Sequence, residues 1–140
     1  MKNEFFTDKK LKEPQNNIKK NIENTNFIDC PADSDKLGRH SWTLLHTIAS
    51  YYPEKPSGRQ KVALQQLMNS LSFLYPCEHC AAHLRLYMKA NPLNIKSQEE
   101  FSLWLCQFHN EVNNNLGKEK FDCTKVHERW RDGWKDGSCN

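Results

Sequence analysis

Residues 57–90 read SGRQKVALQQLMNSLSFLYPCEHCAAHLRLYMKA, and their punctuation decides the fold. Ser57 with Gln60 makes a capping box, the reciprocal pairing of side chain and backbone N–H that opens a helix. Behind it Val62, Leu64, Leu67, Met68, Leu71, Leu74 and Tyr75 predict an apolar stripe. Pro76 has no N–H to continue that ladder, so it ends one element and begins another. Cys77 to Ala90 predicts a further helix with Ala81, Leu84, Tyr87 and Met88 inward, closed by Asn91 and Pro92.

The same punctuation extends in both directions. Upstream, from Leu37, the residues Trp42, Leu45, Ile48, Ala49 and Tyr52 recur at three-and-four spacing, and Pro53 and Pro56 stop that helix. Downstream, Ser97 with Glu100 predicts another capping box. It opens a helix through Phe101, Trp104, Leu105, Phe108 and Val112 that closes near Leu116 and Gly117. A short fifth helix is expected from about Thr124 to Trp130. Strand alternation bounded by turn residues is absent, and no fixed-period repeat occurs, which disfavours an α/β thioredoxin-type scaffold. The expected fold is all-α, a small four-helix bundle with a short fifth helix.

At 140 residues the chain is the size of one domain. Residues 1–29 hold eight apolar residues, six Asn, six Lys and five acids with no sustained period, too little to offset the entropy of ordering, and predict a flexible arm. The domain is expected over 30–140. Lys and Arg exceed Asp and Glu by only three, which argues against nucleic acid or an anionic membrane as partner. No apolar run approaches a membrane span and no secretory h-region is visible. The acids and the absence of Arg in the arm also weaken a cleaved mitochondrial presequence.

Six Cys in such a chain call for redox or metal chemistry. Cys77-Glu78-His79-Cys80 follows Pro76 directly and falls in a first helical turn, where unpaired N–H groups and the helix dipole favour a thiolate. The alternative is half of a zinc site, completed by His83 or by Cys106 with His109. Redox is favoured because the motif opens a helix. Cys106 and Cys123 fit a disulfide that folds the fifth helix onto the fourth, with two buried free thiols as the alternative. Cys30 and Cys139 lie in polar sequence and are expected to pair, within one chain or between two, since six cysteines allow fifteen connectivities.

Several runs concur. They are Leu37-Gly38-Arg39-His40-Ser41-Trp42-Thr43-Leu44-Leu45-His46, Tyr75-Pro76-Cys77-Glu78-His79-Cys80, His109-Asn110-Glu111-Val112-Asn113, Phe121-Asp122-Cys123 and Arg129-Trp130-Arg131-Asp132-Gly133-Trp134. Together, from about Cys30 to Asn140, the chain resembles the Erv/ALR flavin-linked sulfhydryl oxidases. The resemblance implies an FAD-containing helical bundle, usually a homodimer. Such enzymes make disulfides in thiol-bearing proteins and pass the electrons to oxygen, giving hydrogen peroxide, or to cytochrome c. It implies Cys77 and Cys80 as the active pair, Cys106 with Cys123 as a structural disulfide, and Cys30 with Cys139 as links between subunits. The implied FAD-binding residues are Arg39, Ser41, Trp42, His46, Cys106, His109, Asn110, Val112, Asn113, Lys120 and Trp130, with no metal. A flat ring needs a dry slot and a few polar groups, and these residue types supply both.

Long members of the family carry a second CxxC in an N-terminal arm, whereas the arm here offers only Cys30. An intramolecular relay is therefore expected to be absent: either this is a short form in which substrate meets Cys77 directly, or an upstream segment has been lost. The resemblance implies the mitochondrial intermembrane space, and the missing arm motif leaves the cytosol as the alternative. Trp134, His83 and His127 are expected to be packing or surface residues. Two rivals from other classes are a zinc-stabilised interaction module and a signalling protein whose disulfides only staple it.

Overall fold

Three of the four α-helices start at a residue whose side chain accepts from an unpaired N–H: Asp33, Ser57 and Ser97. The computed structural model describes residues 30–139, so residues 1–29, read above as an arm, and Asn140 lie outside the described residues. Helix α1 spans Ser34–Tyr51, α2 Gly58–Leu74, α3 Glu78–Ala90 and α4 Gln98–Asn115. Among the described residues there is no strand, and no helix is long and apolar enough to cross a membrane.

Helix α1 begins ahead of the apolar period because Asp33 caps it, accepting from the Lys36 N–H at 2.7 Å. The capping box of α2 forms in full: Gln60 N donates to Ser57 Oγ at 3.2 Å, and Ser57 N donates to Gln60 Oε1 at 2.9 Å. At α4 only half of it forms. Ser97 Oγ accepts from Glu100 N, but the Glu100 carboxylate accepts from the Ser97 hydroxyl rather than from backbone. Gly117, at φ +67°, ends α4 with its N–H on Asn114 O, and Lys118 N returns to Asn113 O. This is the left-handed turn that glycine adopts without steric cost.

Helices α1 and α4 pack together, as do α2 and α3. Their inward faces meet in a core that includes Ala49, Leu64, Met68, Leu84, Tyr87, Phe101, Trp104, Leu105 and Phe108. Two residues expected in the α2 stripe are not there: Val62 is 56% exposed and Leu74 77%. At about 100° per residue Val62 lies about 160° round the helix from Leu64, on the opposite face, and Leu74 is the last helical residue at the stripe's edge.

The expected fifth helix is helical but not a regular α-helix. It opens as a 3-10 turn, Cys123–Lys125, capped by Asp122, and continues as a π-helical turn, Glu128–Asp132. Both ends are tethered, which sets the backbone between them. Cys123 is bonded to Cys106 of α4. Arg131 Nη1 donates to Ser50 O at 3.1 Å and to Gln98 Oε1 at 3.0 Å. Gln98 Nε2 in turn donates to Ser50 O and Tyr52 O, so the last carbonyls of α1 are satisfied by the start of α4.

The Cys106–Cys123 bond closes a separation of 17 residues and holds the terminal turns to α4. Replacing both with Ala is expected to lower the unfolding free energy by about 3 kcal/mol, read from urea titrations.

Candidate active site

Cys77 occupies the cap position of α3 and Cys80 lies in its first turn, and the two sulfurs are bonded to each other. The two sulfurs and a His79 ring nitrogen all lie within 4.8 Å of one another. No side chain caps α3, so its first N–H groups and the positive end of its dipole lie beside the sulfurs. Both cysteines are only half-buried, which leaves the bond open to an incoming thiol.

The residues between them are also engaged. Glu78 is paired with Arg85 Nη2 at 2.8 Å, and Arg85 Nη1 donates to Ser72 O at the end of α2. The same guanidinium lies 5.3 Å from the centre of the Phe73 ring. His79 sits over the bond itself, with Nδ1 at 3.4 Å from Cys77 Sγ and Nε2 at 3.6 Å from both sulfurs. One turn on, His83 Nε2 meets Glu111 Oε1 of α4 at 2.6 Å and sets its ring edge-on to Phe108. His83 was expected to be a packing or surface residue; it joins the helix of the disulfide to α4.

Across the molecule, α1 and α4 bring four rings together. His46 Nε2 and His109 Nδ1 are 2.8 Å apart. Trp42 stacks on His109 at 4.0 Å between centroids and 4° between planes, and Trp130 stacks on His46 at 4.6 Å and 5°. Arg129 lies over the Trp130 ring at 4.0 Å. Phe108 touches Trp42 as well as His83, so the ring cluster and α3 share a side chain.

Burial is the main force on both imidazoles. It pushes His46 down to about 3, helped by His109 and then Arg129, and His109 down to about 4, helped by Lys118 and then Arg129. Both rings are therefore neutral at ordinary pH, one donating its N–H to the other. Flat neutral rings flanked by cations suit a ligand that carries a planar ring and an anionic group.

The remaining residues singled out from the sequence fall in two groups. Asn110 works on backbone: Nδ2 donates to Phe121 O at 2.9 Å, Oδ1 accepts from Phe121 N at 2.8 Å, and Nδ2 also reaches Cys123 Sγ at 3.4 Å. Asn113 Nδ2 donates to Asn110 Oδ1, Val112 packs against the core, and Cys106 is buried. Lys120 lines a cavity of about 360 Å³ with Gln107, Asn110, Glu111 and Asn114. Arg39 and Ser41 are not drawn into the ring cluster by their own bonds. Arg39 pairs with Asp35 at 3.7 Å on the surface, and Ser41 Oγ donates to Leu37 O. Cys30 and Cys139 are exposed and unbonded. The signal for Arg129 and Arg131 was present in the Arg-Trp-Arg run, but nothing in the spacing marked their targets.

The neutral imidazoles make stability depend on pH. Unfolded, each takes up a proton below about pH 6.5; folded, neither does until about 4 or 3, so stability is full above 6.5 and falls as the pH drops through that window. Melting temperature is expected to fall from about pH 7 to about pH 5. His46→Gln with His109→Gln should reduce proton uptake on unfolding near pH 5 by about two protons, one per ring, measured by linkage of unfolding free energy to pH.

Comparison with known proteins places this geometry. The model of the Erv1 / Alr family matches residues 39–131. The chain is 44% identical over 106 residues to the mitochondrial FAD-linked sulfhydryl oxidase ERV1 of Saccharomyces cerevisiae, covering 76% of this chain and 56% of that protein. It is 50% identical over 100 residues to the FAD-linked sulfhydryl oxidase ERV1 of Arabidopsis thaliana, covering 71% and 52%. The chain thus spans about half the length of these curated relatives. Among solved structures, the yeast Erv1 core superposes with a TM-score of 0.76 at 42% identity, over 81% of this chain and 97% of that one. The FAD binding domain of yeast Erv1 superposes with a TM-score of 0.72 at 44% identity, over 75% of this chain and all of that one. With this fold, this paired-cysteine helix start and a family match over residues 39–131, the chain belongs to the Erv1 / Alr family.

Proposed function

We propose that this chain is an FAD-dependent thiol oxidase that makes disulfides in thiol-bearing proteins or dithiols, with Cys77 and Cys80 as its reactive pair. The observation that carries the reading is the Cys77–Cys80 disulfide, half-buried at the uncapped start of α3. The names of the yeast and plant relatives support both the activity and the cofactor.

The donor set fits FAD. Trp42, His46, His109 and Trp130 offer flat faces for its rings, and two imidazoles held neutral avoid placing a charge against them. Lys118, Lys120 and Arg129 are the cations available to its pyrophosphate, with Arg39 and the Ser41 hydroxyl on α1; Asn110, Val112 and Asn113 shape the α4 side next to Cys106. When bound, FAD supplies a two-electron acceptor for the reduced pair and a donor to oxygen or cytochrome c. The chain's own part is thiol exchange. A substrate thiolate attacks Cys77 Sγ, Cys80 leaves as the thiolate, and a second substrate thiol resolves the mixed disulfide.

The proposal includes a homodimer with Cys30 of each subunit bonded to Cys139 of the other. Its support is two exposed thiols and an apolar hollow: the exposed Tyr51 lines a cavity of about 400 Å³ with Ile48, Tyr52, Leu64 and Leu67. A two-fold axis makes one such bond recur as two. The proposal includes a mitochondrial address, which the mitochondrial designation of the yeast relative supports, and within it the intermembrane space, which rests on the family resemblance alone.

The purified chain is expected to be yellow, with a flavin spectrum. Cys77→Ser and Cys80→Ser should each bring turnover of a model dithiol to background while keeping that colour. A colourless chain that releases zinc would instead support an interaction module, and a colourless metal-free chain a stapled one. Cys30→Ser with Cys139→Ser is expected to stay dimeric by native sizing yet run as a monomer on a non-reducing denaturing gel, where the unmodified chain runs as a dimer.

A further inference from the structure

We propose that His79 is a catalytic residue of the Cys77–Cys80 pair, its ring N–H stabilising by hydrogen bond the sulfur that leaves in each of two successive exchange steps. The inference rests on the thiol-oxidase reading and assigns a role to the residue inside the motif.

The geometry is specific to this histidine. His46 and His109 hold each other, and His83 holds Glu111, whereas the hydrogen bonds of the His79 ring run to the two sulfurs. Nε2 stands 3.6 Å from both, and Nδ1 3.4 Å from Cys77 Sγ. A carboxylate beside the pair would oppose a thiolate, but Glu78 is bound to Arg85, which is anchored in turn on Ser72 O of α2. The other titratable groups around the pair are Tyr75 just before it, and His83 with Glu111 of α4, which are bonded to each other. No side chain competes for the first N–H groups of α3. The helix start therefore favours negative charge, and the His79 ring brings its nitrogens to both sulfurs.

The chemistry needs such a group twice. In the first step a substrate thiol loses its proton to solvent and its thiolate attacks Cys77 Sγ. The Cys77–Cys80 bond breaks, its electron pair goes to Cys80 Sγ, and a substrate–Cys77 bond forms. In the second, another substrate thiolate attacks the substrate sulfur of that bond, and the electron pair goes to Cys77 Sγ. The substrate has then lost two protons and two electrons, and the pair has gained two electrons. Rate depends on how well each departing sulfur carries its charge. His79 faces Cys80 Sγ for the first departure and Cys77 Sγ for the second, with only a small rotation of an exposed ring between them.

The test is His79→Gln in the full chain, an exposed position where the fold does not depend on the ring. After mild reduction, alkylation of each cysteine by iodoacetamide is followed against pH by peptide mass, which separates Cys77 from the other five. The midpoint for Cys77 is expected to rise by about one pH unit in the variant. In glutathione buffers the pair should shift about tenfold toward the disulfide, about 30 mV more negative for this two-electron couple. A Cys77 midpoint unchanged by the substitution overturns the proposal, whatever happens at Cys80. The flavin spectrum of the same samples reads the oxidase assignment separately. A colourless chain with a shifted Cys77 midpoint leaves the role of His79 standing on the thiol pair and removes the oxidase reading.

Discussion

Two imidazoles share a hydrogen bond only where one presents an N–H and the other, neutral, presents a lone pair. His46 and His109 meet that condition at 2.8 Å, and much of the molecule is arranged around it. Each ring carries an indole on its face, Trp42 on His109 and Trp130 on His46. Trp42 comes from α1 and Trp130 from the π-helical turn, so one hydrogen bond and two stacks tie three segments distant in sequence. The register of α1 against α4 is then fixed at a second point, where Gln98 and Arg131 converge on Ser50 O. A crossing pinned at two places by directional bonds has little freedom to slide, whereas apolar contacts alone would tolerate it.

The proposed thiol chemistry lies on the other helix pair. Cys77, His79 and Cys80 open α3, which packs on α2 and is anchored there by Arg85. The planar rings belong to α1, α4 and the terminal turn. Between the halves stand Phe108, in contact with both Trp42 and His83, and the His83–Glu111 bond. Sulfur exchange needs an open approach and a ring site needs dry walls; dividing them between helix pairs lets each have its own exposure.

Much of the helical frame was legible because it is written locally. The Ser57–Gln60 box, Pro53, Pro76 and Gly117 act on backbone within a few residues, and the helices start and stop at or near them. The start of α1 at Ser34 was missed because Asp33 sets it with a cap, ahead of any apolar residue. Val62 and Leu74 were placed inward because a list of apolar residues at roughly the right spacing ignores the angle each makes with its neighbours. The residue types of the ring cluster could be read, but the contact of His46 with His109 spans 63 residues, and no local pattern encodes which imidazole meets which. The π-helical turn was illegible for the same reason: its geometry follows from Arg131 reaching Ser50, 81 residues away. His79 was hidden inside a motif whose cysteines drew the attention.

The C-terminal segment doubles back. Gly133, at φ +82°, ends the π-helical turn, Gly137 makes a second left-handed bend, and the Cβ of Cys139 lies 3.4 Å from where a Gly133 side chain would begin. The terminal thiol is thus parked against the cap of the turn that carries Trp130. Mechanically this is a short tether: a covalent link at Cys139 would pull through only six residues of backbone before reaching Gly133, which lies three residues from the indole. Strain arriving from outside the molecule would be felt first at the stack on His46.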